Sequence, residues 1–160
     1  ESDVMRITTV APVPSFVSAT TKYGRPNSQE ATGTIEATFV FDLTAKGKDI
    51  FVKANPAGVA HYSFGLIGNN ASTTPDTINV SADSTAKLEG GAYRIAKGQT
   101  ARFTIEVAKT LNLSSANYWG QYCYFVLEGF DWGTAADLTG GDAINFLDTS
   151  VWRSDAKLVN

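Results

Sequence analysis

The stretch that most constrains this chain is residues 33–52, GTIEATFVFDLTAKGKDIFV. Ile35, Ala37, Phe39, Phe41 and Leu43 fall on every second position, with Thr34, Glu36, Thr38 and Asp42 mostly between them. Successive side chains of an extended strand point to opposite faces, so this spacing gathers the apolar set on one face and the polar set on the other. Residues 45–48 (AKGK) then supply a turn, and residues 49–52 open a second β-rich run. A long strand with one buried face needs a second layer to cover it.

Other segments offer that layer. In residues 100–107, Phe103, Ile105 and Val107 alternate with Arg102, Thr104 and Glu106. Residues 119–132 form the most apolar run; being apolar on both sides, it is expected as a central strand covered on both faces. Shorter β-rich runs occupy residues 59–67, 77–82 and 93–95, and residues 146–159 read as a last strand through Val151 and Trp152. Turn-forming Gly, Pro, Asn and Asp separate them, and helical spacing competes nowhere. The expected fold is all-β: an immunoglobulin-like or jelly-roll-type β-sandwich of about seven to nine strands, with a barrel as the other closed solution.

A length of 160 residues fits one domain. Residues 1–17 read as an extended N-terminal arm or edge strand, and residues 18–160 as a single sandwich domain. Charged residues make up 18% of the chain, below the usual quarter, so polarity comes from Thr, Ser, Asn and Gly, which suits strands, turns and an extracellular surface. A net charge of −3 leaves no basic footprint, so nucleic acid is not an expected partner. No run approaches the roughly 20 apolar residues of a membrane span. The chain begins at Glu1 instead of Met, which fits a processed secretory precursor, and a secreted, extracellular or cell-surface location is expected.

Candidate chemistry is sparse, and no enzyme is expected. His61 is the single histidine, so nucleophilic catalysis would have to join it to Ser63 or Cys123, and no Gly-x-Ser-x-Gly elbow occurs. Cys123 is the single cysteine, in a Tyr-Cys-Tyr-Phe-Val context that suits a small buried hydrophobe. Nothing in the spacing brings Glu106 and Glu128 together as a glycosidase pair, or supports a zinc ligand set. Asp131, Asp137, Asp142 and Asp148, with Asn145 among them, bracket a Gly-rich loop. Such a loop can turn several oxygens towards calcium, or be an ordinary solvated turn. Tyr118, Trp119, Tyr122, Tyr124, Trp132 and Trp152 suit core or interface packing, or a platform for a sugar ring. Asn70, Asn79 and Asn112 each begin an Asn-x-Ser glycosylation sequon.

The N-terminal segment is the most suggestive. Val4, Met5, Arg6, Ile7, Thr8, Thr9 and Val10 favour β structure and are followed by Ala11-Pro12-Val13-Pro14. Each proline lacks a backbone donor, so this part of the chain can only be an edge strand or a linker. A β-forming arm on such a joint can add to the open sheet edge of a neighbour, head to tail, or fold onto its own sheet.

Residues 37–45 (ATFVFDLTA) with 49–52 (DIFV), and residues 93–104 (YRIAKGQTARFT), resemble the immunoglobulin-like β-sandwich modules of large bacterial or archaeal surface proteins. The second is similar to the turn that begins a late sandwich strand in those modules. The resemblance spans roughly residues 33–157 and lacks the paired cysteines of true immunoglobulin domains. It implies adhesive, lattice-forming or spacer roles and transfers no catalytic residue. The expected function is therefore a non-enzymatic, secreted structural subunit of an extracellular filament or surface layer. Its partners would be further copies of itself or other surface proteins. The alternative is a carbohydrate-binding or adhesive module using Trp119, Tyr122 or Trp132, with calcium as an optional cofactor and glycans as partners.

Overall fold

The structure, a computed structural model, describes residues 9–54, 61–68, 72–114, 118–146 and 148–160. In chain order its strands are β1 (Ala11–Gly24), β2 (Thr32–Lys46), β3 (Ile50–Lys53), β4 (Tyr62–Ile67), β5 (Ser72–Thr73), β6 (Thr77–Ala82), β7 (Lys87–Glu89), β8 (Ala92–Ile95), β9 (Thr100–Asn112), β10 (Tyr122–Gly133), β11 (Asp142–Asn145) and β12 (Lys157–Leu158). They form two packed antiparallel sheets, an all-β sandwich. One sheet has the order β1-β2-β9-β6; the other runs β5-β4-β10-β3-β8-β7, with β11 and β12 also paired to β10. Among the described residues no helix is long and apolar enough to cross a membrane.

The alternation of β2 becomes burial. Ile35, Ala37, Phe39, Phe41, Leu43 and Ala45 all face the core, and β9 answers with Ala101, Phe103, Ile105, Val107 and Leu111. The register sets Phe39 opposite Ile105 and Phe41 opposite Phe103. From the other sheet, Phe64, Leu66, Phe125, Leu127 and Phe130 complete the same cluster.

Three local features differ from the sequence-based expectation. First, the arm or edge strand expected over residues 1–17 has no boundary at residue 17: from Ala11 it is an edge strand, β1, which continues to Gly24 and pairs with β2 along its length, with a bulge between Phe16 and Ser18. Pro12 and Pro14 sit inside this strand, opposite Ala45 and Leu43. Among the described residues β2 is its only ladder partner, so a strand with prolines in it is tolerated at this edge. Second, residues 146–159 are not one strand. Phe146 N–H donates to Glu128 and Leu127 N–H to Trp152, but between them Asp148 accepts from the Ser150 amide and diverts the chain. Pairing resumes at an isolated Arg153–Val126 bridge and at β12. Third, β5, β7 and β11 are only two to four residues long, too short for a periodic signal, which is why more strands are present than the alternation indicates.

Polar cross-links lie on the outer faces. Arg102 grips Asp42 through two bonds of 2.8 and 2.9 Å across β2 and β9. Lys109 reaches Asp76 at 2.6 Å, and Thr110 N–H donates to the same carboxylate. The Asp42 carboxyl is held below the usual range by the Arg102 hydrogen bond, and that of Asp76 by Lys109 and then Thr110. A folded-state pKa below the unfolded one gives stability that is present above the unfolded pKa and lost as pH falls through the folded one. Melting temperature should therefore hold level from neutrality to about pH 5 and decline below about pH 4, and Asp42→Asn should flatten part of that decline. A melting temperature that does not move between these values would refute this.

Candidate functional site

The polar side chains that do converge lie on the outer face of the second sheet. β4 runs beside β10 with Ser63 opposite Gly129, and β11 lies on the other side of β10 with Asn145 opposite the same glycine. A bulge in β10 between Leu127 and Gly129 places Glu128 outward over this junction. The Ser63 hydroxyl donates to Glu128 Oε2 at 2.8 Å, and the other carboxylate oxygen lies across Gly65. His61 Nδ1 and Asp131 Oδ2 are 3.0 Å apart. With Asn145 these groups border a groove of about 460 Å³. It offers hydroxyl, imidazole, amide and carboxylate groups, which suits a polar ligand held by hydrogen bonds.

The groove does not assemble a nucleophile. The Ser63 hydroxyl is bonded to Glu128, and the His61 contact runs to Asp131, so the pairing a Ser-His-Asp relay needs is not made. Cys123 is fully buried, and burial pushes its thiol pKa up, the reverse of activation. Glu106 is exposed on the outer face of the first sheet and Glu128 on that of the second, so these carboxylates face opposite directions.

The four aspartates proposed for calcium are engaged separately. Asp131 meets His61, Asp137 accepts from Thr139 N–H, Asp142 from Ala143 N–H and Asp148 from Ser150. Asp131, Asp137 and Asp142 do border one shallow hollow beside His61, while Asp148 caps its own turn. Among the described residues no three His, Cys, Asp or Glu side chains form a group able to hold a metal.

The aromatics divide. Trp119 and Tyr122 are 44% and 65% exposed, the former beneath the Arg25 guanidinium at 5.1 Å. Trp132 is only 9% exposed and belongs to the core, and Tyr118 packs partly buried against it, so neither is part of a surface platform. The physical reason for Trp132 is the bulge. Before it, Cys123, Phe125 and Leu127 point inward; after it the parity flips, and Phe130 and Trp132 do. An uninterrupted strand would have turned Trp132 outward beside Tyr122 and Tyr124. Glu128-Gly129 within an otherwise apolar run was the available signal for such a bulge.

Of the sequon asparagines, Asn79 on β6 and Asn112 at the end of β9 are exposed, and Asn70 lies outside the described residues. Of the arm, Thr9 and Val10 are described, with Val10 packed against the core beside Gly47; Val4, Met5, Arg6, Ile7 and Thr8 lie outside the described residues. The fold and site together define a β-sandwich with a polar groove on one outer face. No protein-family model matches the chain, and a search of curated proteins finds no match.

Proposed function

We propose that the protein is a non-enzymatic, secreted structural subunit of an extracellular filament or surface layer, joining its neighbours by strand addition through residues 4–10. What supports this most directly is where the first sheet stops. The β1–β2 ladder ends at Ala11 opposite Lys46. At Gly47 the chain turns with φ of 85°, a conformation that favours glycine, and β3 pairs within the other sheet. Among the described residues, β2 therefore has no ladder partner before Ala11. In sequence the β-forming residues 4–10 directly precede that end, and β-forming composition is what a strand donor needs. Two prolines and a bulge in β1 also blunt its outer edge against unwanted sideways pairing. That Ser63 bonds to Glu128 and His61 contacts Asp131, instead of pairing with each other, favours a binding or structural role over a catalytic one.

Deleting residues 1–8 should abolish polymers seen by electron microscopy while leaving the melting temperature within about 2 °C, because Val10, which packs against the core, and β1 are both kept. Polymers from the truncated chain, or dispersed monomers from the intact one, would refute strand donation. The second outcome, combined with glycan binding lost on Tyr122→Ala, would favour the adhesive reading, which rests on the exposure of Trp119 and Tyr122.

A further inference from the structure

The two buried polar residues of the described core, Thr21 and Ser154, touch each other. The Thr21 hydroxyl donates to Ser154 Oγ at 2.6 Å, and the same oxygen accepts from Phe125 N–H at 3.0 Å. Thr21 N–H donates to Asp155 Oδ1, and the Tyr23 hydroxyl to the Asn160 carbonyl at 3.1 Å. Thr21 and Tyr23 belong to the first strand; Ser154, Asp155 and Asn160 belong to the C-terminal segment of the other sheet. These bonds tie the first strand to the last across the side of the sandwich.

Direction gives the seam its meaning. β1 starts opposite Lys46 and ends beside Thr34, about 40 Å further along the long axis. β10 runs the opposite way, from Tyr122 beside Leu158 to Gly133 beside Phe51. The C-terminal segment is antiparallel to β10, so it runs parallel to β1, and Asn160 finishes beside Tyr23. Chain entry at Ala11 and the carbonyl of Asn160 thus lie at opposite ends of the sandwich. Tension between them pulls β1 and the C-terminal segment in opposite directions along their own axes. Every β1–β2 bond, every bond from the C-terminal segment to β10 and the seam itself are then loaded together, in shear. Pulling across the strands would load them one at a time.

We infer that the sandwich is a mechanical element, carrying tension along its strand axis, with the Thr21–Ser154 seam as a clamp. This does not depend on strand donation: it concerns how the folded unit resists force applied between Ala11 and Asn160, whatever is attached there. A buried hydroxyl pair adds little net equilibrium stability over an apolar contact, but under shear it must break in the rate-limiting step.

The test is single-molecule pulling on the full chain in two geometries. Handles on Thr9→Cys and Asn160→Cys load the strands in shear; handles on Ser28→Cys and Asn160→Cys, both at one end, peel them. At equal loading rate the first pair should unfold at about twofold higher force, since forced unfolding follows the unfolding rate. Thr21→Val, which keeps the shape and the Thr21 backbone bond, should raise the unfolding rate under shear about fivefold and leave the peeling rate within experimental error. Equal forces in the two geometries would overturn the tension-carrying role. An equal effect of Thr21→Val in both would make the seam an ordinary structural contact, and would overturn the clamp even if the first result held.

Discussion

Truncating Phe41 to alanine is expected to lower the free energy of unfolding by about 3–5 kcal/mol, at the top of the range for a single core truncation. Phe41 is 1% exposed, and its ring lies 5.7 Å from Phe103, 5.9 Å from Phe130 and 5.8 Å from Trp152. Those partners come from the strand beside it, the central strand of the opposite sheet and the C-terminal segment. The loss therefore combines the transfer free energy of a phenyl ring with a cavity that cannot easily close. Each neighbouring ring is held by a different part of the backbone, so no single side chain can swing in to fill the space. Phe41→Leu, which keeps most of the volume, should cost about 1–2 kcal/mol. Urea denaturation with an unchanged m-value is the appropriate measurement. A loss below about 1 kcal/mol for the alanine variant would show that the two sheets settle together, and that the aromatic contacts are not what holds them apart.

Gly129→Ala should be nearly as damaging for a different reason. A methyl group at this position would lie 2.0 Å from the Ile144 carbonyl oxygen, a backbone atom that cannot rotate aside. Relief requires β11 to leave β10, with loss of the ladder from Gly129 to Trp132 and of the Phe146 amide bond to Glu128. The expected cost is about 3 kcal/mol, at the upper end of overpacking. Hydrogen exchange should localise it, with faster exchange at Ile144 and Phe146 and little change in β2 or β9. Gly24→Ala is the matched control: a methyl group there meets nothing within 4 Å, so its stability should change by less than about 0.5 kcal/mol. Equal effects at the two glycines would refute the steric account.

The parts of the fold that were legible in the sequence are those where one physical signal acts alone. The period-two pattern of residues 35–43 could only be a half-buried strand, and the apolar run of residues 119–132 marked the centre of a sheet, although its outer face is open at Tyr122 and Glu128 rather than covered. Pro12 and Pro14 restrict their segment to an edge whatever strand it pairs with. What could not be read was set by events between distant segments. The diversion at Asp148 depends on what β10 can pair with, and the inward turn of Trp132 depends on a one-residue bulge whose partner is β4. The groove is illegible for the same reason. His61 and Asp131, like Ser63 and Glu128, are some 65 to 70 residues apart in sequence and meet only through the β4–β10 register.

The sealed position of Cys123 has a practical consequence. Its side chain is fully covered and its proton is held more tightly than in a free thiol, so alkylating reagents have neither access nor a thiolate to attack. A cysteine introduced anywhere on the surface is then chemically alone, with the native residue left in place. Dyes, spin labels or surface tethers can be positioned one at a time on an unmodified core.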